Sequence, residues 1–279
     1  MLDAARLFKK LRCYEVTKKN DHPRKVIRMK AKGLILLFAP LIGVLPDVAG
    51  AQDAQSLVGA AFDYFRGKTS FSMVEMTIHR ADWERKMTMK GWTKGLDKSL
   101  IIITAPPKDE GNGTLKKGQE MWIYNPKVNR VIKIPPSMMA QSWMGSDFSN
   151  NDLAKSDTLI HDYNHSLTGT TTDGGKKVYL IESKPKPQAP VVWGMQRLKI
   201  REDYIFLEQV FYDEYLKPVK ILSSHDIQML GGKLFPKIMR MQKADEKEEY
   251  TMLEYQELTF DVDIEDSLFT LSSLRTQRR

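Results

Sequence analysis

Residues 70–79 read SFSMVEMTIH, and this stretch decides the class of fold. Within it, Val74, Met76 and Ile78 recur at every second position. Successive side chains of a β-strand point to opposite faces of a sheet, so a period of two predicts a strand with one apolar face. The folded part of the chain is therefore expected to be built mainly from strands.

The same period continues downstream. Met87 and Met89 repeat it, and the pattern then slips at Gly91 so that Trp92 takes the apolar side, which predicts a bulge or a bend. Further strand candidates follow as far as Phe260, joined by short connectors such as the turn at residues 173–175. Many strands with short links predict an antiparallel meander of about ten strands.

Upstream of residue 70 the period is helical. Asp53 is a suitable cap, apolar residues recur at helical spacing as far as Phe65, and Gly67 ends the pattern. The sequence therefore predicts a helix over residues 53–66.

A secretory signal is predicted before that helix. Lys30 and Lys32 precede the apolar run 34–44, and Ala49-Gly50-Ala51 supplies small residues for cleavage after Ala51. The apolar run is too short to cross a bilayer as a helix, which needs about 20 apolar residues. We therefore expect an N-terminal extension with a cleaved signal peptide at residues 1–51 and one domain at residues 52–279. Residues 1–28 are either a long basic leader of the signal or precede a true start at Met29.

Charge and cysteine content narrow the function classes. Residues 1–51 hold 11 of the 43 Lys and Arg and 4 of the 35 Asp and Glu, so the formal net charge of +8 falls to +1 for the remainder. This balance argues against a nucleic-acid partner. The single cysteine, Cys13, precedes the signal, so the mature chain has neither a disulfide nor a lipidated N-terminal cysteine. The expected location is the periplasm of a Gram-negative bacterium, with the protein soluble after cleavage.

Two segments interrupt the strand pattern. Residues 137–155 contain Ser137 and Ser149 as possible helix caps and Gly145 as a stop, which predicts a helical insert covering the sheet. Residues 183–190 are rich in proline and lead directly to Trp193. That stretch is either an ordinary surface loop or the rim of a functional site.

Catalytic signatures are missing from the sequence. It has no G-x-S-x-G, no H-E-x-x-H, no P-loop and no G-x-G-x-x-G before a helix. His161 and His165 lie four apart in a segment with strand character, where side chains four apart are about 13 Å from each other, so we interpret them as a surface pair. The sequence predicts no enzyme, no metal and no cofactor.

Methionine and tryptophan are abundant, with 15 Met and 5 Trp in the chain. Methionine adapts its shape and is common where proteins bind irregular apolar ligands. These side chains either fill the core or line an apolar cavity and its lid. The candidate ligand-binding residues are Trp92, Trp122, Tyr124, Met138, Met139, Trp143, Met144 and Phe148.

The block Gly91-Trp92-Thr93-Lys94, the run 101–103 and the block 120–126 (EMWIYNP) together resemble strands of the LolA-like family of periplasmic outer-membrane lipoprotein-sorting proteins. The resemblance implies a half-open antiparallel β-barrel wrapped around an N-terminal helix and a helical lid. It also implies acylated lipoprotein or lipid cargo, with an inner-membrane ABC transporter permease as the donor. The chain departs from the family after Trp92, where Lys94-Gly95 stands in place of an arginine that helps to hold the lid shut.

The functional expectation is a monomeric, non-enzymatic carrier that shields the acyl chains of lipoproteins or lipids during transfer toward the outer membrane. The insert would be a movable lid that touches the cargo. A periplasmic sensor of the same fold that binds mislocalised lipoproteins is the alternative, and a periplasmic hydrolase is a third possibility weakened by the missing nucleophile.

Overall fold

The structure is a computed structural model that describes residues 49–276, so the signal segment before Ala49 lies outside it. Helix α1 (Ala49–Arg66) begins before Asp53, which therefore lies within the helix and not at its cap. Gly67 ends α1 as predicted, with φ of 65°, a value that favours glycine. Its N–H donates to the carbonyl of Asp63 at 2.9 Å. No helix in the described part of the chain is both long and apolar enough to cross a membrane.

Thirteen strands form one antiparallel sheet. They are β1 (Thr69–His79), β2 (Glu84–Lys94), β3 (Lys98–Ala105), β4 (Gly113–Lys117), β5 (Glu120–Asn125), β6 (Arg130–Lys133), β7 (Tyr163–Asp173), β8 (Lys176–Pro185), β9 (Met195–Arg201), β10 (Phe206–Tyr212), β11 (Pro218–Leu230), β12 (Lys233–Lys243) and β13 (Tyr250–Phe260). The expected number of about ten was too low. Strand β4 was missed because its sequence, GTLKK, shows no two-residue alternation of apolar side chains.

The sheet consists of two meanders joined through the pairing of β1 with β13. We call β1–β6 the N-terminal half and β7–β13 the C-terminal half. Strands β6 and β7 form the two edges, so the sheet is open and does not close into a barrel. The prediction of a mainly β, antiparallel architecture that is not a closed barrel is confirmed.

Both faces of the sheet are covered in the N-terminal half. The apolar side chains of β3 show this, because they contribute to a buried cluster on each face. Ile103 faces the cluster around Met76, whereas Leu100 and Ile102 join a cluster with Phe269. We call the Met76 side the inner face. The outer face is covered by the C-terminal segment, which contains a 3₁₀ turn (Asp266–Leu268) and helix α4 (Leu271–Thr276).

Three aromatic residues of the predicted cavity, Trp92, Trp122 and Tyr124, belong to the outer cluster. The predicted bulge at Gly91 is wrong, because β1 pairs with β2 without a break from Thr69 to His79. The apolar pattern changes parity at Trp92 because Trp92 lies on the outer face, opposite to Met87 and Met89, and the outer face is also covered. The irregularity of β2 lies at Thr88/Met89, against β3.

Candidate functional site: a cavity under the first helix

The insert, residues 135–162, connects the two edge strands. It contains a 3₁₀ turn (Pro136–Met138), helix α2 (Asn150–Ala154) and helix α3 (Thr158–His161). Ser149 caps α2 as predicted, in a capping box in which the Asp152 carboxylate accepts from the Ser149 N–H at 2.7 Å. The helix expected between Ser137 and Gly145 forms only the 3₁₀ turn. Met139 and Trp143 therefore do not share a helical face.

The Met- and Trp-rich part of the insert packs into the core of the N-terminal half. Met138, Met139 and Met144 lie against the inner-face cluster around Met76. Trp143 is only 3% exposed, and its indole N–H donates to the Thr114 hydroxyl at 2.9 Å. A buried indole with its N–H satisfied is a well-packed structural residue. This part of the insert therefore contributes to the core of the N-terminal half.

Three ion pairs attach the insert to the sheet. They join Asp147 to Arg80 with two hydrogen bonds of 3.1 Å, Asp152 to Lys220, and Asp157 to Lys116 at 3.0 Å. Each side chain in these pairs is at most 15% exposed. Burial lowers the pKa of Lys116, and the Asp157 carboxylate opposes that shift. Losing one partner would leave a buried charge unpaired, which is strongly unfavourable.

Lys94, which stands near the arginine position of the related carriers, makes a different connection. Its ammonium donates to the carbonyl of Ile264 at 2.8 Å and pairs with Asp266 at 2.9 Å. Hydrogen bonds from Lys94 and Lys98 lower the pKa of Asp266 to about 2. Lys94 thus fastens the C-terminal segment to the outer face and does not reach the insert.

A cavity of about 190 Å³ lies on the inner face of the C-terminal half. Its walls come from α1, from strands β9–β12, from the insert and from the loop of residues 186–194, which we call the rim loop. The apolar wall residues are Phe62, Phe65, Phe148, Leu159, Val191, Val192, Trp193, Phe206, Phe211, Leu222, Met239 and Met241. Such a chamber suits an apolar ligand.

The cavity exists because two covering elements dock at different places. Val58 and Ala61 of α1 pack on β8 and β9, near Leu198. The insert docks mainly on the N-terminal half through Trp143 and its neighbours. Both elements reach strands β10–β12 at the borders of the cavity, where Phe148 of the insert packs with Phe211 and Phe65 of α1 stacks on Phe235. Trp193 and Phe211 contact each other in the cavity wall, with 5.2 Å between their ring centroids.

A few polar side chains interrupt the apolar walls. Gln209 donates its amide N–H to Gln196, and the Tyr163 hydroxyl donates to the Trp193 carbonyl at 3.1 Å. Burial raises the pKa of Tyr163, which keeps the phenol neutral. No group of three or more His, Cys, Asp or Glu side chains suited to a metal occurs within residues 49–276. The arrangement can hold an apolar molecule and orient it with hydrogen bonds.

The structure separates the residues that the sequence grouped together. Of the eight candidate ligand-binding residues, Phe148 lines the cavity, four fill the inner core beside it, and Trp92, Trp122 and Tyr124 lie on the outer face. Sequence reasoning missed Phe62 and Phe65, whose helical spacing indicated only a buried face. Trp193, which follows the Pro-rich stretch, lines the cavity.

Comparisons with known proteins agree with this architecture. A crystal structure of a DUF1329 family protein from Desulfovibrio piger is 25% identical, with a TM-score of 0.73 over 81% of this chain and 99% of that one. A domain proposed to be an outer membrane lipoprotein-sorting protein, from Vibrio parahaemolyticus, is 21% identical, with a TM-score of 0.71 over 81% and 99%. A LolA superfamily protein from Nitrosomonas europaea is 21% identical, with a TM-score of 0.66 over 79% and 98%. A search of curated proteins found no match.

The open antiparallel sheet with a helix and an insert on its inner face defines a protein of the LolA-like fold class. Within that class, a family model described as an uncharacterized protein matches residues 95–276, which is more than half of the chain, and the chain belongs to that family.

Proposed function

We propose that this protein is a periplasmic, non-enzymatic carrier that shields an acyl chain of a lipoprotein or lipid in the cavity under α1. The observation that carries the proposal is the cavity itself, whose walls are mainly apolar and include several aromatic side chains. The predicted signal segment, the single domain over residues 52–279 and the related fold are consistent with it. An inner-membrane ABC transporter permease would be the donor of the cargo.

The cavity volume limits what it holds as it stands. A cavity of about 150 Å³ accommodates benzene, so 190 Å³ takes on the order of eight carbons. At about 0.8 kcal/mol for each buried methylene, eight carbons contribute roughly 6 kcal/mol before the costs of binding. A longer acyl chain requires one wall to move.

The rim loop is the wall that we propose to move. It is held by hydrogen bonds, including those from the Lys155 ammonium to the Pro190 carbonyl at 3.3 Å and from the Tyr163 hydroxyl to the Trp193 carbonyl at 3.1 Å, and Val192 is half exposed. The insert, by contrast, is attached by three buried ion pairs. The lid expected from the sequence is therefore assigned to the loop that carries Trp193, and the insert acts as a fixed wall.

Mass spectrometry of an organic extract from the purified mature protein tests the proposal, since a carrier co-purifies with lipid. Leu222→Trp, which fills the cavity, should cut the affinity for a fluorescent acyl probe at least tenfold while the protein stays folded. Val219→Trp on the same strand is the matched control, because Val219 is partly exposed and does not line the cavity. A lipid-free extract together with unchanged probe binding by Leu222→Trp would refute the carrier function.

A further inference from the structure

One polar side chain at the cavity wall lacks a hydrogen-bond partner. Asn151, in α2, lines the cavity and is 9% exposed. Its Oδ1 atom is buried and finds no donor among the described residues. The neighbouring polar groups differ, because Asp152 pairs with Lys220 and Gln196 accepts from Gln209. A buried acceptor left unsatisfied destabilises a fold, so its presence at a binding cavity requires an explanation.

The opposite wall also carries amide groups where apolar residues would pack. Cross-strand pairing places Gln209 between Leu198 and Leu222 on one face of the sheet. Gln196, on the adjacent strand, is only 3% exposed. Polar groups set in an apolar chamber give orientation and specificity to a ligand. Carboxamides therefore face this chamber from both the insert and the sheet.

We infer that the cavity recognises an acyl chain that carries a hydrogen-bond donor next to its carbonyl, as an N-acyl amide does, and that Asn151 accepts this hydrogen bond. The inference rests on the proposed carrier function and adds the chemical class of the cargo. An acyl ester has the same chain and carbonyl but no N–H, so it leaves the Asn151 acceptor unsatisfied. Asn151 is thus a specificity-determining residue.

Two probes of equal chain length test the inference directly. N-methyldodecanamide and methyl dodecanoate differ in the N–H group, and each can be titrated against a bound fluorescent acyl probe. The parent protein should bind the amide at least tenfold more tightly than the ester. Asn151→Leu should bind both with similar affinity and should unfold at a higher temperature, because the unsatisfied acceptor is gone.

Asn151→Ala serves as a second variant in case leucine does not fit, and Gln141→Leu is the control. Gln141 is an exposed carboxamide of the same insert, outside the cavity, so its replacement should leave the amide preference unchanged. If the parent binds amide and ester equally, or a folded Asn151 variant keeps the tenfold preference, the inference is overturned and the carrier function stands. If the parent binds neither probe, both fail.

Discussion

The inner face of the sheet is covered differently in the N-terminal and C-terminal halves. In the N-terminal half, Trp143 and three methionines of the insert pack against the cluster around Met76. In the C-terminal half, α1 docks on β8 and β9, and a cavity stays open above β10–β12. The same sheet therefore provides a solid core and a chamber, and the difference comes from where the covering segments attach.

The covering segments also differ in how they are attached. The insert is held by buried ion pairs such as Asp147 with Arg80, whereas the rim loop is held by hydrogen bonds to its backbone carbonyls. A buried ion pair is more costly to break than a single hydrogen bond of this kind. The comparison assigns stability to one half of the inner face and binding to the other.

The largest expected effect is on the solid core. Trp143→Ala should lower the free energy of unfolding by about 3–5 kcal/mol, because it leaves a large void and removes the hydrogen bond to Thr114. Urea denaturation measures this change. Trp83→Ala is the control, since Trp83 is half exposed and should change stability little. A Trp143→Ala variant as stable as the parent would mean that the insert is a loose cover after all.

Breaking one of the ion pairs should have the next largest effect. Lys116→Met leaves Asp157 buried without its partner and should cost about 3 kcal/mol. Replacing both residues, with Lys116→Met and Asp157→Leu, should restore most of the loss because no unpaired charge remains. The urea midpoints of the single and double variants measure this difference. Equal stability of the two variants would contradict the claim that the unpaired Asp157 causes the loss.

A smaller effect, dependent on pH, belongs to the C-terminal half. His165, in β7, is only 3% exposed, so the interpretation of His161 and His165 as a surface pair is wrong for His165. Burial lowers the pKa of His165 from 6.5 to about 4. Between these values the unfolded chain binds a proton that the folded chain does not, so stability should fall by about 2 kcal/mol as pH drops from 6.5 to 4. Thermal melts across this range should show a shallower slope for His165→Gln than for the parent. The exposed His225→Gln variant should keep the parental slope, and identical slopes in all three would rule out His165 as the source.

Much of the fold could be predicted because strands and helices with one buried face repeat their apolar residues at a characteristic spacing in the sequence. The two-residue alternation of β1 and β2 and the helical spacing of α1 both report a buried face, and the capping box at Ser149 is a local motif. Strand β4 escaped because its side chains are buried by packing on both faces, without an apolar alternation in its own sequence.

The site could not be predicted in the same way, since it depends on distances between segments far apart in the chain. Nothing in the spacing of Trp92 or Trp143 tells which face of the sheet receives each of them. The cavity forms where α1, the insert and the rim loop meet above the sheet, which no single segment encodes. The sequence could indicate that apolar side chains exceed the needs of a simple core, and of the eight candidate residues only Phe148 lines the cavity.

Photolabelling with an acyl chain that carries a diazirine tests the division between the two halves most directly. After irradiation and digestion, mass spectrometry identifies the labelled peptides. The account predicts labels on Phe62 and Phe65 of α1, on Trp193, and on the β12 methionines Met239 and Met241. Labels confined to Met138, Met139 and Met144 would place the acyl chain in the N-terminal half and contradict it.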